Sequence, residues 1–504
     1  MPKGAGTIQA LKVSQWLKDW DQVQFSPKEH RRKPEPYFYL FSLQASELRS
    51  LCGISRRSTN RMTARAADLG IQREHDQERS DEIGRFVEFG YPWSTLTEAK
   101  RNSDEFHDLR KPGWLPTAIV VNIIGKGEMR RGVALAPQDA VQIQDIGNVT
   151  TIALPNGKLG DSWRSSSIPP FEVIDGQHRL WSFSESNETD FQLPVVAFNN
   201  LDISWQAYLF WTINIKPKRI NPSLAFDLYP LLRAEDWLDR AEGHPVYRET
   251  RAQELTEAMW SHEKSPWYDR INMLGEKSTT GVTQAAWIRT LMATFVKPWH
   301  GRGSRIGGLF GSRLEGDNEV LGWTRAQQAA FLIFAWSAFK QAVINSNDFW
   351  AVDLRQTAIK SENATVKAAA EAAFYGNHSL ISTDQGVRGF LHVLNDLCFY
   401  SASRLELRNW QADRAGSASD ANAVSIALTS LGKTKVALYV NALVSSLVSF
   451  DWRSSSAPGL PSEERRAKLV FRGGSGYKEL RAQLLEHLSR TDSDIGNAAK
   501  RVAA

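Results

Sequence analysis

The stretch Phe171-Glu172-Val173-Ile174-Asp175-Gly176-Gln177-His178-Arg179 carries most of the information in this chain. Its first four residues read as a short strand, Asp175-Gly176 breaks it, and residues 177–186 have helical character. A glycine between a strand and a helix start lets the backbone approach a ligand closely. The free N–H groups of the first helical turn attract an anion. Arg179 adds a fixed positive fork suited to phosphate oxygens. His178 is suited to bond a phosphate or orient a water, and Asp175 to cap the helix or hold a hydrated Mg²⁺. An Asp-capped helix with two surface side chains would give the same string, so the residues alone leave a structural and a functional reading open.

On either side of this corner the first half of the chain alternates strands and helices. Residues 37–41 read as a strand, 45–52 as a helix closed by Gly53, and 83–89 as a helix begun by Ser80 or Asp81 and stopped around Gly90 and Pro92. Residues 118–124 are β-rich, and 141–146 joins 149–154 through the hairpin signal Gly147-Asn148. Residues 160–167 are polar and loop-like; a strand at 195–198 and a helix at 205–213 follow. Beyond about Asp227 long helical patterns dominate, at 283–296, 324–343, 387–400 and 436–450. At the end, 468–471 reads as a strand, 472–477 as a glycine loop and 478–490 as a helix. The expected fold is α+β: a mixed α/β domain over 1–235, then a mainly α-helical region over 236–504 with a small strand-loop-helix unit from about 465.

Composition narrows the class. At ~150 residues per domain, 504 residues suggest roughly three packing units, and 18 Trp, 23 Phe and 11 Tyr exclude a disordered tail protein. Trp287, Trp323, Trp336 and Trp350 fall on or beside apolar helical patterns, so core packing is expected of them. Cys52 and Cys398 exclude a disulfide scaffold and fit a reducing, cytoplasmic compartment. Lys12, Lys18 and Asp19 interrupt the apolar core that a secretory signal needs. The longest apolar stretch, 329–339, falls short of the ~20 residues that span a bilayer, so it reads as a buried helix. No His/Cys cluster has metal spacing and no nucleophile elbow is present in the sequence.

The net charge of +5 permits a nucleic-acid partner without establishing one. Local clusters say more. Lys28, His30, Arg31, Arg32 and Lys33 form one; Arg56, Arg57, Arg61 and Arg65, interleaved with Ser58, Thr59 and Asn60, form another. Each reads either as a solvated face or as a DNA backbone surface. Arg302 and Arg305, in a glycine-rich loop running to Arg313, read as a DNA contact or a plain helix connection. Gly275-Glu276-Lys277-Ser278-Thr279 lacks the glycine spacing of a phosphate loop and reads as an ordinary loop. The segment 472–478 has the layout of an anion site, which also recurs in purely structural helix starts.

The string Asp175-Gly176-Gln177-His178-Arg179 resembles the name-giving motif of the DGQHR-domain proteins, which include DndB-like and DpdB-like components of DNA modification systems. A second box, residues 213–224, is similar to the segment that follows the motif in that family, and the resemblance covers approximately residues 30–235. The family looks related to the ParB and sulfiredoxin superfamily, whose Gly-x-His-Arg or Gly-x-x-Arg element binds nucleotide phosphates at a helix start. Gly176, His178 and Arg179 match that element, with Gln177 where sulfiredoxins need a nucleophilic cysteine. Sulfiredoxin-type thiol chemistry is therefore excluded, because an amide cannot act as a thiolate. Asn214 and Arg219 are the nearest counterparts of the Asn and Arg that complete a ParB-like nucleotide pocket. The resemblance implies a ParB/sulfiredoxin-like N-terminal domain that binds ATP or another NTP through Gly176, Gln177, Arg179, Asn214 and Arg219, with Mg²⁺ as an accompanying ion. Asp175, His178 and Arg179 would be its catalytic residues. It implies DNA and a modification enzyme as partners, a role in phage defence, and leaves homo-oligomerisation open. The alternatives are a non-catalytic DNA-binding regulator and a nucleotide-switched clamp.

Overall fold

The structure, a computed structural model, describes residues 6–54, 75–91, 93–102, 110–130, 132–147, 149–155, 163–183, 191–214, 221–228, 245–276, 281–298, 306–314, 320–360, 365–411 and 416–503. The chain divides into two compact units, Met1–Arg219 and Ile220–Ala504. The division falls before the boundary expected at 235, because the helix Pro222–Asp227 packs with the helices Pro245–Ser261 and Gln284–Ala293 of the second unit.

The first unit is built on one mixed sheet. Its strands in chain order are β1 (Thr7–Ser14), β2 (Tyr37–Gln44), β3 (Cys52–Gly53), β4 (Ile119–Ile123), β7 (Gln142–Ile146), β8 (Val149–Ala153), β9 (Phe171–Asp175) and β10 (Gln192–Asn199); β5 (Met129–Arg130) and β6 (Val133–Ala134) pair separately. The spatial order is β3-β9-β4-β10-β2-β1-β8-β7, with β3/β9 and β4/β10 parallel and the other neighbours antiparallel. Strand alternation sorts the side chains. Ile8, Ala10, Tyr39, Phe41, Leu43, Val121, Val173 and Val195 line the core face together with Leu48 and Leu51 of α1 (Ala45–Leu51). The hairpin at Gly147 forms with Ile146 opposite Val149, as its turn residues predict.

Further helices among the described residues shape the unit: α2 (Gln77–Phe89), the short α3 (Glu98–Arg101), and α4 (Gln177–Leu180), which directly follows β9. Helix α2 begins earlier than expected because the Asp76 carboxylate caps it, accepting from the Arg79 N–H at 3.2 Å; Ser80 lies inside the helix and is buried. Helix α4 is a single turn ending at Leu180, shorter than the expected 177–186. The last helix, α5 (Ile203–Asn214), packs against β9.

The second unit is helical, and among its described residues β pairing is confined to isolated bridges. Its central helix, Arg325–Asn345, is buried on most of its circumference and packs against Ala421–Leu431 and Lys435–Val448. Trp287, Trp323, Trp336 and Trp350 are all buried there, as expected. Trp267, Trp287 and Trp336 form an aromatic centre, with Trp267 at 5.2 Å from Trp287 and 5.0 Å from Trp336 between ring centroids. The strand expected at 468–471 is not formed. The helix Ser462–Leu469 runs through its start, and Lys468 and Phe471, three apart, point inward while Leu469 and Val470 are exposed. That is the spacing of a helical turn, not of a strand. No described helix is long and apolar enough to cross a membrane.

Candidate functional site

The corner between β9 and α4 is forced by Gly176. Its backbone is left-handed (φ 94°, ψ 14°), and a Cβ there would stand 2.7 Å from Ile119 Cδ1. Beside it, the pairing of β9 with β4 shifts register between Val120 and Val121, with Val120 opposite Asp175. The irregular backbone thus presents Asp175 at the strand end, where α4 starts.

Arg179 folds back across this corner. Its Nη2 donates to Asp175 Oδ2 at 2.8 Å, and its Nη1 donates to Thr117 Oγ1 at 2.6 Å, to Ala118 O at 3.1 Å and to Thr117 O. The other oxygen of Asp175 accepts from Asn214 Nδ2 at 3.1 Å, which brings the last residue of α5 to the motif. Asp175 and Arg179, four residues apart, and Asn214, 39 residues beyond Asp175, therefore form one hydrogen-bonded group. Each carboxylate oxygen of Asp175 accepts one of these hydrogen bonds, so Arg179 and Asn214 together orient the carboxylate while each oxygen keeps a further lone pair.

Gln177 and His178 point into the space between α4 and α2. The His178 ring stacks on His75, centroids 5.4 Å apart and planes at 20°, and Gln177 Nε2 lies 3.3 Å from His178 Nε2. His75 Nε2 meets the buried Ser80 Oγ at 2.7 Å. Gln177 is buried, and neither its Oε1 nor His178 Nδ1 has a hydrogen-bond partner of good geometry among the described residues. Burial pushes the His178 pKa down; Arg79 and His75 push the same way, and the Asp76 backbone and carboxylate oppose them. Burial also works against the Arg179 charge, Asp175 sustains it, and Arg79 weakens it further. The first turn of α2 thus belongs to the site electrostatically.

The structure brings together Asp175, Gly176, Gln177, His178, Arg179 and Asn214. Arg219, Arg56, Arg57, Arg61, Arg65, Arg302 and Arg305 lie outside the described residues, as do Lys277, Ser278 and Thr279. In the first basic cluster, Arg32 is paired with Asp202 and Glu128 and Lys33 with Asp21, so part of its charge is spent within the protein. At 472–478, Arg472 donates to Ser455 Oγ at 2.8 Å and the Gly473 carbonyl accepts from Gln385, which are structural uses of that loop.

Sequence reasoning missed His75, Arg79 and Thr117, which lie well upstream of the motif and reach it only through packing of α2 and the lead into β4. It also missed Glu172. This buried carboxylate, inside an apolar strand, accepts from Asn122 Nδ2 (3.0 Å), Gln206 Nε2 (3.0 Å) and Arg130 Nε (2.7 Å), tying β9 to β4 and α5. A lone Glu in an apolar run was the available signal. Comparison with known protein families, with curated proteins and with solved structures finds no match.

Proposed function

We propose that the β9–α4 corner binds a nucleoside triphosphate, and that the chain hydrolyses it as a DNA-associated component of a DNA modification or defence system, of phosphorothioate or 7-deazaguanine type. The observation that carries this reading is the Asp-Gly-Gln-His-Arg string on a left-handed glycine corner at a strand end. A backbone of that shape, with cationic side chains around it, matches what a phosphate group requires. In this mechanism the Gly176 corner receives the phosphates, His178 orients the terminal phosphate or a water, and Asp175 holds Arg179 and Asn214 in place. Electrostatic stabilisation of the phosphoryl oxygens supplies the rate. DNA and a modification enzyme are the partners in this reading.

A second reading, a non-hydrolysing DNA-binding regulator or nucleotide-switched clamp, is favoured by one feature. Asp175 and Arg179 are bound to each other and to neighbouring groups, which suits a site that senses a nucleotide more than one that turns it over.

Nucleotide turnover by the purified protein, with and without DNA, separates the two. Hydrolysis that is lost in Asp175→Ala and Arg179→Ala supports the enzyme. Binding without turnover supports the switch. If the wild-type protein binds no triphosphate, the enzyme and the nucleotide-switched clamp fail and the DNA-binding regulator gains.

A further inference from the structure

Strands β1 and β2 are antiparallel neighbours with Ser14 opposite Tyr37, a geometry that a two-residue turn can close. Residues 15–36 intervene instead, and the two ends of this excursion meet where the Gln15 N–H donates to Pro36 O at 2.9 Å. An ordered loop longer than about 15 residues inside a compact unit is uncommon and usually functional.

The excursion is aromatic and cationic. Trp16 packs against Trp20, ring centroids 5.4 Å apart, and against Phe25 at 6.4 Å. Phe25 reaches Trp205 of α5 at 6.3 Å, and Trp205 reaches Tyr208 at 6.2 Å. The five rings thus form one chain, and none of them belongs to the core of the unit. Its two ends are open, with Trp20 44% and Tyr208 56% exposed. The chain is also held in place: Trp205 Nε1 donates to Arg32 O at 2.9 Å, and the Arg32 guanidinium pairs with Asp202 just before α5.

Cations lie along the same surface. Lys33 Nζ stands 5.4 Å from the Trp16 ring centroid while pairing with Asp21. Lys18 and Lys28 are exposed, and among the described residues no carboxylate pairs with either. Open rings interleaved with lysines complement unpaired bases and the phosphates that join them. A duplex keeps its bases stacked on one another and out of reach of such rings. A protein partner fits less well, because lysine is depleted at protein interfaces. Asp19 and Glu35, exposed on the same loop, keep the positive field modest, so stacking has to supply most of the affinity.

We propose that the loop 15–36 and the exposed side of α5 bind single-stranded DNA, with bases stacking on Trp20 and Tyr208 and the phosphate backbone running past Lys18 and Lys28. The proposal rests on the DNA-associated part of the reading above and adds that the strand is unpaired when it binds.

Fluorescence-anisotropy titrations of the full chain with labelled oligothymidine, a duplex of equal length and oligouridine test it, alongside flotation with phosphatidylglycerol vesicles and thermal melting of each protein. Oligothymidine should bind more tightly than the duplex. Trp20→Ala and Tyr208→Ala should each weaken it about tenfold without changing the melting temperature, because neither ring is in the core. Tyr208→Phe, which keeps the ring, should bind as the wild type does. Replacing Lys18 and Lys28 together by Gln should weaken binding less and flatten its salt dependence. Tighter binding of the duplex, or full single-strand affinity in the double variant Trp20→Ala/Tyr208→Ala, overturns the proposal and leaves DNA association standing. Preference for oligouridine, or vesicle binding that these variants abolish while oligonucleotides are ignored, assigns the rings to another partner and overturns it as well. Absence of binding to any DNA removes both the proposal and the DNA-associated reading.

Discussion

At the scale of single residues, the chain puts polar groups where burial gives them leverage. Gly176 is one case: only a residue without a Cβ fits both its left-handed backbone and its contact with Ile119. His392, in the second unit, is another. It stacks on Tyr477 at 5.2 Å, and burial pushes its pKa down to about 4, with Asp396 acting upward and Arg481, Lys297 and Arg388 downward. The folded chain therefore holds His392 neutral at pH values where the unfolded chain, with an ordinary value of 6.5, is already protonated. The unfolded state binds more protons in that window, so stability is full above about pH 6.5. It falls as pH drops and levels off near pH 4. At about 1.4 kcal/mol per pH unit, wild type should lose about 2 kcal/mol more than His392→Phe between pH 6.5 and pH 5. Urea unfolding at the two pH values measures this. Equal losses in both proteins would show that His392 does not titrate in this way.

At the scale of elements, the long apolar helices were the most legible features, because one segment carries their period by itself, whereas a start such as that of α2 lay at Asp76 and not at Ser80 or Asp81. Thr324 accepts from the Gln327 N–H at 3.2 Å while Gln327 Oε1 accepts from the Thr324 N–H at 3.0 Å, a reciprocal capping box for the central helix Arg325–Asn345. Thr324→Ala should cost about 1 kcal/mol, a drop of about 2–4 °C in melting temperature, with the helical circular-dichroism signal retained. An unchanged melting temperature would show that Gln327, which also donates to Trp410 O at 2.8 Å, holds the end alone. Strands were less legible. The first strand, β1, went unread, although Ile8 and Ala10 alternate inward with Thr7 and Gln9 facing out. Such a polar run shows its period only once β2 and β8 pair with it on either side.

At the scale of the whole molecule, each unit carries its own core. The first is drawn from residues between Ile8 and Ala197, the second from residues between Ala252 and Ala499. A unit that buries its own apolar surface has what it needs to fold alone. Fragments 1–219 and 220–504, produced separately, should each give a cooperative thermal transition and far-ultraviolet spectra of α/β and mainly helical type respectively. A fragment that remains unfolded would show that its stability depends on the rest of the chain.

The amino-acid sequence by itself determined what depends on neighbours in the chain: the glycine corner after β9, the hairpin at Gly147, the apolar periodicity of the long helices and the burial of their tryptophans. Each follows from backbone sterics or from a repeat that one segment carries alone. The three-dimensional packing decided everything that needs two distant segments in one place. It brought Asn214 to Asp175 across the end of α5, turned Arg179 back onto Thr117 and Ala118, and set His75, just before α2, against His178. No local pattern encodes those meetings, because hydrogen bonds and ring contacts between distant residues exist only after the sheet has fixed where each segment ends.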